Sequence, residues 1–235
     1  MYNIYIRRMS FKLKNEIIRL PNADKDGGWI EHWSKETHGL DILVHPFKCA
    51  LIGRPGSGKT TIMHNLFLRI QLSNKPFQTL IVIQPSTSKE HDILDPTLTL
   101  FDIPDIESLV SEELGKTLII IDDFDLTKLD NHQKRNLSML FRYISSHHDI
   151  SVMLSYQSFF DIPTIIRKTC NYFFVWKTNN VDELTVIAKR VGYNKKTFQT
   201  IFSKYIKEKH DFLVVDQCID PEFELRRNLY EVIKL

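Results

Sequence analysis

The sequence predicts an α/β fold in which a central, mostly parallel sheet carries helices on both faces and a phosphate-binding loop at one edge. Three observations carry this. Gly53-Arg54-Pro55-Gly56-Ser57-Gly58-Lys59-Thr60 fits the phosphate-cradling pattern G-x-x-x-x-G-K-[ST] at every fixed position. Thr117-Leu118-Ile119-Ile120-Ile121 is an aliphatic run that ends in two carboxylates, Asp122-Asp123, as a strand buried on both faces would. Ser151-Val152-Met153-Leu154-Ser155-Tyr156 is another such run and ends in an amide, Gln157.

Taken in order, residues 1–40 form an N-terminal arm distinct from the domain of residues 41–235. Arg7, Arg8, Lys12 and Lys14 alternate with apolar residues there, and the turn-rich stretch Pro21 to Gly28 precedes Trp29 and Trp33. The arm is either packed on the core or a contact with another subunit or DNA, since exposed Trp and Arg favour interfaces. Ala50-Leu51-Ile52 reads as the strand feeding the glycine loop, and Ile62, Met63, Leu66, Phe67 and Ile70 have the spacing of the helix behind it. Thr79-Leu80-Ile81-Val82-Ile83 is a second strand ending at Pro85. Residues 86–115 are a polar insertion punctuated by Pro96 and Pro104, to which the pattern assigns no element. After Asp123, Leu137, Leu140, Phe141 and Ile144 make one apolar helix face, while Arg135, Ser138 and Arg142 run up another. Asp161 and Pro163 open a segment whose Arg167-Lys168 is placed to satisfy helix C-terminal carbonyls. Tyr172-Phe173-Phe174-Val175-Trp176 completes a core of five strands.

The loop chemistry follows from residue type. Gly53, Gly56 and Gly58 let successive backbone N–H groups turn inward on a phosphate, and the helix N-terminus behind them adds its positive end. The binding stretch runs Gly53, Arg54, Pro55, Gly56, Ser57, Gly58, Lys59, Thr60 and Thr61. Lys59 supplies a point charge for the β- and γ-phosphates of ATP, and Thr60 is placed to ligate Mg²⁺. Asp122, at the carboxyl end of its strand, is the Mg²⁺-associated acid, acting on metal-bound water. Asp123 polarises the attacking water, a role more often filled by Glu. Gln157 both donates and accepts, so it can hold that water and a phosphate oxygen together. In ATPases with an extra strand between the two phosphate motifs, a residue so placed senses the γ-phosphate. Arg142 is the first candidate for an arginine finger acting in a neighbouring subunit, with Arg226-Arg227 and Arg167 next.

Composition bounds the rest. With 235 residues, 43% hydrophobic and 26% charged, the chain can bury one substantial core. A net charge of +2 gives no argument for nucleic acid from bulk charge, so any DNA contact must be local or come from ring geometry. Cys49, Cys170 and Cys218 are too few and too far apart for a zinc spacing or a disulfide framework, and His147-His148 lacks a third ligand. No run approaches the roughly 20 apolar residues that cross a bilayer, and the charged N-terminus has no signal segment.

Rival functions are distinguishable. Thr127-Lys128-Leu129-Asp130 imitates the guanine-reading T-K-x-D, but it follows Asp122 by a few residues instead of closing a later strand. A nucleotide kinase shares the glycine loop and would need an Arg-rich lid; paired carboxylates fit water attack better. An ATP-switched interaction module that does not hydrolyse is disfavoured by Lys59, Asp122, Asp123 and Gln157 occurring together.

The three motifs, in this order and with this tail, resemble the FtsK–HerA superfamily of P-loop NTPases (the ASCE or RecA-like type), in particular the genome-packaging ATPases of poxvirus-type large DNA viruses and virophages. The matching pieces are His45-Pro46-Phe47 before the loop, Ile120-Ile121-Asp122-Asp123-Phe124, and Ile150-Ser151-Val152 running to Gln157-Ser158. Asp211 to Asp216, Phe223 and Arg226-Arg227-Asn228 complete them, so the resemblance spans roughly residues 40–232. Family members often carry Arg-His just before the Gln-bearing strand, where this chain reads Ser146-His147-His148-Asp149. The resemblance implies a homo-oligomeric ring, a hexamer or pentamer, that hydrolyses ATP to drive double-stranded DNA into a viral capsid. It implies partners among capsid or membrane-vertex proteins. It also implies a cytoplasmic location, in the host cytoplasm or viral factory, or association with the virion.

Overall fold

A computed structural model describes residues 42–73, 76–110, 114–218 and 224–233. The arm of residues 1–40, with Trp29 and Trp33, and Phe223 of the tail lie outside the described residues. Among the described residues nine strands form one sheet in the order β3-β2-β4-β5-β1-β6-β7-β8-β9. They are β1 Lys48–Ile52, β2 Thr79–Ile83, β3 Leu98–Leu100, β4 Thr117–Ile121, β5 Ile150–Tyr156, β6 Tyr172–Trp176, β7 Phe212–Asp216, β8 Leu225–Arg227 and β9 Glu231–Val232. Strands β3 through β6 in that order run parallel, and β7, β8 and β9 add antiparallel.

The helices are α1 Lys59–Gln71, α2 Ile106–Val110, α3 Asn131–Met139, α4 Thr164–Thr169, α5 Val181–Arg190 and α6 Lys195–Tyr205. The period-two alternation of each strand divides the core. Leu51, Val82, Ile120, Met153 and Phe174 face α1 and its Ile62, Met63, Leu66 and Phe67. Ile52, Ile83, Ile121, Leu154 and Val175 face the other layer, formed by apolar residues of α2 to α6. Both faces are covered, so the central strands are apolar at successive positions, which is why they read as continuous aliphatic runs.

Helix α3 starts under a capping box: Asp130 accepts from the backbone N–H of Gln133 at 2.8 Å, and the Gln133 side chain accepts from the N–H of Asp130 at 2.9 Å. It continues through a π-helical turn, Leu140–Ile144, and a last helical turn, Ser145–His147. Leu137, Leu140, Phe141 and Ile144 are buried, as their spacing predicts, while Arg135 and Arg142 are exposed.

The expected core of five strands is too few. β7 is a wholly buried, mostly apolar run that the five leave out; β3 has three residues, none of them buried, and β8 and β9 carry Arg226, Arg227 and Glu231, so these last three do not read as apolar runs. The insertion 86–115 also has structure: a short 3₁₀ turn at Asp92–Leu94, then β3 and α2.

Candidate active site

Parallel strands bring their carboxyl ends to one edge of the sheet, and the phosphate loop leaves β1 there. The N–H of Gly53 donates to the Tyr156 carbonyl at 3.0 Å, and that of Asp122 donates to Ile83 at 3.0 Å, so β1, β5, β4 and β2 are tied at this edge. Strand β5 pairs with β1 on one side and β4 on the other, giving the extra strand expected between the two phosphate motifs. Gly53 has no room for a side chain, since a Cβ would lie 2.8 Å from both Ser57 Oγ and Trp176 Cβ. Gly58 precedes α1 at φ 102°, a left-handed backbone that aims the helix N-terminus at the loop.

Lys59 Nζ donates to the carbonyls of Gly53 at 2.8 Å and Arg54 at 3.3 Å, so the ammonium lies inside the loop's curve. Burial pulls its pKa below the ordinary lysine value, and Asp123, Asp122 and Glu90 pull the other way. Ser57 Oγ is buried with no hydrogen-bond partner among the described residues, the condition of a group that a phosphate oxygen would satisfy. Arg54, Pro55, Gly56 and Thr61 are exposed around it.

Asp122 is buried and receives three donors. Thr60 Oγ1 donates to Oδ2 at 3.1 Å, His91 Nε2 donates to Oδ2 at 2.8 Å, and Ser155 Oγ donates to Oδ1. Burial raises its pKa, but the bonds from His91, Ser155 and Thr60 outweigh that and leave it below the ordinary aspartate value. Asp122 is therefore a carboxylate at neutral pH. Three of its roughly four lone-pair positions are occupied, which fits an acid that meets Mg²⁺ through a bound water. Thr60 gives its proton to Asp122 and keeps its oxygen lone pairs for a cation. The donor set thus fits Mg²⁺ beside a nucleotide.

Asp123 is exposed at the same edge, with φ 49°. Gln157 is exposed immediately beyond β5. Its turn is fixed from behind by Glu183 of α5, a buried side chain that accepts from Ser158 Oγ at 2.5 Å, Phe159 N–H at 3.0 Å and Thr178 Oγ1 at 3.2 Å. The turn between α6 and β7 also reaches the loop. His210 Nδ1 donates to the Ser57 carbonyl at 3.0 Å, and Asp211, which accepts from the N–H groups of Lys207 and Glu208, is paired with Arg227 at 3.1 Å.

The predicted residues from Gly53 to Thr61, Asp122, Asp123 and Gln157 thus share one edge. Arg142 does not: α3 runs back across the sheet to where Lys48 Nζ, at the start of β1, donates to the Phe141 carbonyl at 3.2 Å. Arg226 is corrected as a finger candidate, because it is wholly buried and paired with Asp216 at 3.1 Å. Arg227 is engaged by Asp211 and Glu231. The expected carbonyl-capping role of Arg167 is also corrected. Its guanidinium lies 5.0 Å over the Phe159 ring, and Arg190 is the residue that donates to the Lys168 carbonyl.

Thr127 to Asp130 is not a guanine pocket: Thr127 and Lys128 lie in a 3₁₀ turn, Leu126–Lys128, where Lys128 pairs with Asp125 at 3.0 Å, and Asp130 is the N-cap of α3. Among the described residues no His, Cys, Asp or Glu cluster could hold a metal by itself, and no helix is long and apolar enough to cross a membrane. Sequence reasoning missed Ser155, Glu183, His64 and His91. His64 sits one turn beyond Thr60 on α1, the single spacing signal available.

A sequence profile described as a 50S ribosome-binding GTPase matches residues 48–155, the stretch holding both phosphate motifs. Curated proteins give no match. Solved structures share the fold. The genome packaging NTPase B204 of Sulfolobus turreted icosahedral virus 2, in complex with sulfate, is 18% identical with a TM-score of 0.57, over 82% of this chain and 100% of that one. The pCW3 conjugation coupling protein TcpA, with ATPγS, is 13% identical with a TM-score of 0.57, over 99% and 81%. The cytoplasmic domain of the Thermomonospora curvata type VII secretion ATPase EccC is 11% identical with a TM-score of 0.55, over 79% and 25%. The chain has the P-loop NTPase fold, an α/β architecture with a mostly parallel sheet, which is the fold its resemblance to the FtsK–HerA superfamily implied.

Proposed function

We propose that this chain hydrolyses ATP as one subunit of a ring-forming motor that moves double-stranded DNA into a viral capsid. The observation that carries the reading is β5, lying between β1 and β4, which brings Gln157 to the same edge as Lys59, Thr60, Asp122 and Asp123. A water molecule attacks the γ-phosphorus of ATP, the bond to the β–γ bridging oxygen breaks, and ADP and phosphate leave. Asp123 takes up the proton of the attacking water, and Gln157 orients that water against a γ-phosphate oxygen. Lys59 and the loop N–H groups hold the β- and γ-phosphates. Thr60 and, through water, Asp122 would hold Mg²⁺, which would supply charge to offset that of the phosphates.

Translocation, the ring and the capsid or membrane-vertex partners extend the reading. They draw on the family resemblance and on the likeness in fold to the B204 packaging NTPase and the TcpA coupling protein. A cytoplasmic site of action, in the host cytoplasm or viral factory, or on the virion, belongs to the same proposal. The test is ATP turnover measured with and without double-stranded DNA, with oligomeric mass followed in parallel. DNA-stimulated turnover in a ring-sized species is expected. Nucleoside-dependent ADP production that ignores DNA would replace the motor with a nucleotide kinase, and nucleotide binding without turnover would replace it with an ATP-switched interaction module.

A further inference from the structure

We propose that His91 is a positioning residue for Asp122, held in its working orientation by His64, and that supplying it is the task of the segment following β2. The inference rests on Asp122 being the acid of a Mg-nucleotide site. His91 is 1% exposed in a stretch otherwise largely exposed, since Ser86, Thr87, Lys89, Glu90, Asp92 and Ile93 face solvent. The segment thus folds one imidazole inward over the end of β4. The 2.8 Å contact with Asp122 has one possible sense: a carboxylate only accepts, so His91 Nε2 carries the hydrogen. Its Nδ1 lies 3.1 Å from His64 Nε2. His64 is neutral at pH 7, with burial first and His91 second holding its pKa down to about 4. A neutral His64 that donates from Nε2 makes His91 Nδ1 the acceptor and fixes the tautomer that donates to Asp122.

Each partner comes from a different part of the chain: His64 from α1, one turn beyond Thr60, His91 from the insertion, and Asp122 from β4. Thr60 and His91 both bond Oδ2, while Ser155 bonds Oδ1. With these three donors the carboxylate plane is fixed, and the remaining lone-pair position has one direction. Without His91, Oδ2 keeps only the 3.1 Å bond from Thr60, a hydroxyl that must also serve the cation.

The experiment compares the full chain with His91→Leu, His91→Gln and His64→Leu. Mn²⁺ affinity is measured in the presence of ATPγS, and ATPγS affinity is measured in EDTA. Loss of a group that orients a metal-associated ligand costs about 10- to 100-fold in metal affinity. His91→Leu is expected to show that loss with its metal-free nucleotide affinity unchanged. His91→Gln, which retains an N–H donor, should recover most of it, and His64→Leu should lose less in the same direction. Mn²⁺ affinity in His91→Leu equal to the parent's, or an equal fall in metal-free nucleotide affinity, overturns the proposal. If His91→Leu does not fold, His64→Leu and His91→Gln decide: parental Mn²⁺ affinity in His64→Leu, or no better than His64→Leu in His91→Gln, overturns it. A parent chain that binds ATPγS with no dependence on Mn²⁺ would instead overturn the Mg-nucleotide reading of Asp122 itself.

Discussion

Asp123 holds a left-handed backbone, φ 49°, directly after a fully extended strand, a conformation that Asp and Asn adopt more readily than other side chains. The turn of the chain there, more than side-chain length, brings this short acid to the phosphate edge. Asp123→Asn keeps the backbone preference and removes the proton acceptor. Steady-state assays should find Mg-ATP binding retained and kcat down by about 10²- to 10⁴-fold. Lys59→Ala should lose both binding and turnover, because the ammonium in the loop's curve has no substitute there; near-parental turnover in either variant would remove the site assignment. His64 gives a pH signature. Its folded pKa of about 4 lies below the ordinary value of 6.5, so between these pH values the unfolded chain binds the extra proton. Stability is therefore highest above pH 6.5 and falls on acidification, by up to about 3 kcal/mol near pH 4. Chemical denaturation of the parent and His64→Phe across this range should show a shallower slope in the variant. At this scale the sequence was legible wherever chemistry is local. Spacing within one strand and turn is enough to bring the loop, Asp122 and Gln157 to one edge, whereas His91 reaches Asp122 only because a distant loop folds over β4, which no periodicity records.

The elements that could be read beforehand are those buried on both faces. β2, β4, β5 and β6 are solid aliphatic or aromatic runs because helices cover both sides. β3 sits at the open edge of the sheet and β8 and β9 at the other end, so their residues need not be apolar and leave no pattern. Glu183 shows the same limit inside a helix: its neighbours mark an ordinary amphipathic face, yet its carboxylate ties α5 to the turn after β5. Removing it in Glu183→Ala leaves the Phe159 N–H and two hydroxyls without their acceptor, at a cost of about 1–3 kcal/mol. Thermal denaturation should register this as a lower Tm. Turnover should fall as Gln157 loses its fixed turn, while KM for ATP stays at the parental value. A Tm equal to the parent's would show that α5 does not brace the turn at Gln157.

For the whole molecule, the separation of Arg142 from its own phosphate loop matters more than its exposure. Its neighbour Phe141 is bonded by Lys48 at the amino end of β1, across the sheet from Lys59, so a finger role for Arg142 would require a site on another copy. The finger proposal then predicts complementation. Arg142→Ala and Lys59→Ala chains, each inactive alone, should regain part of the DNA-stimulated turnover when mixed, because some interfaces would hold one intact site. Full turnover by Arg142→Ala alone would place the arginine elsewhere. The interleaving of β5 has a consequence for how the molecule comes into being. β1 and β4 precede β5 in the chain, yet they are not paired with each other; each pairs with β5. As the ribosome releases the polypeptide, the loop and the acids emerge before residues 150–156, the strand that joins β1 and β4 into one sheet. A nascent chain ending at Asp149 should therefore bind ATPγS poorly, and a translation-arrest series should gain binding after Tyr156 has emerged, so that the phosphate edge is acquired with β5 and not with the loop that names it.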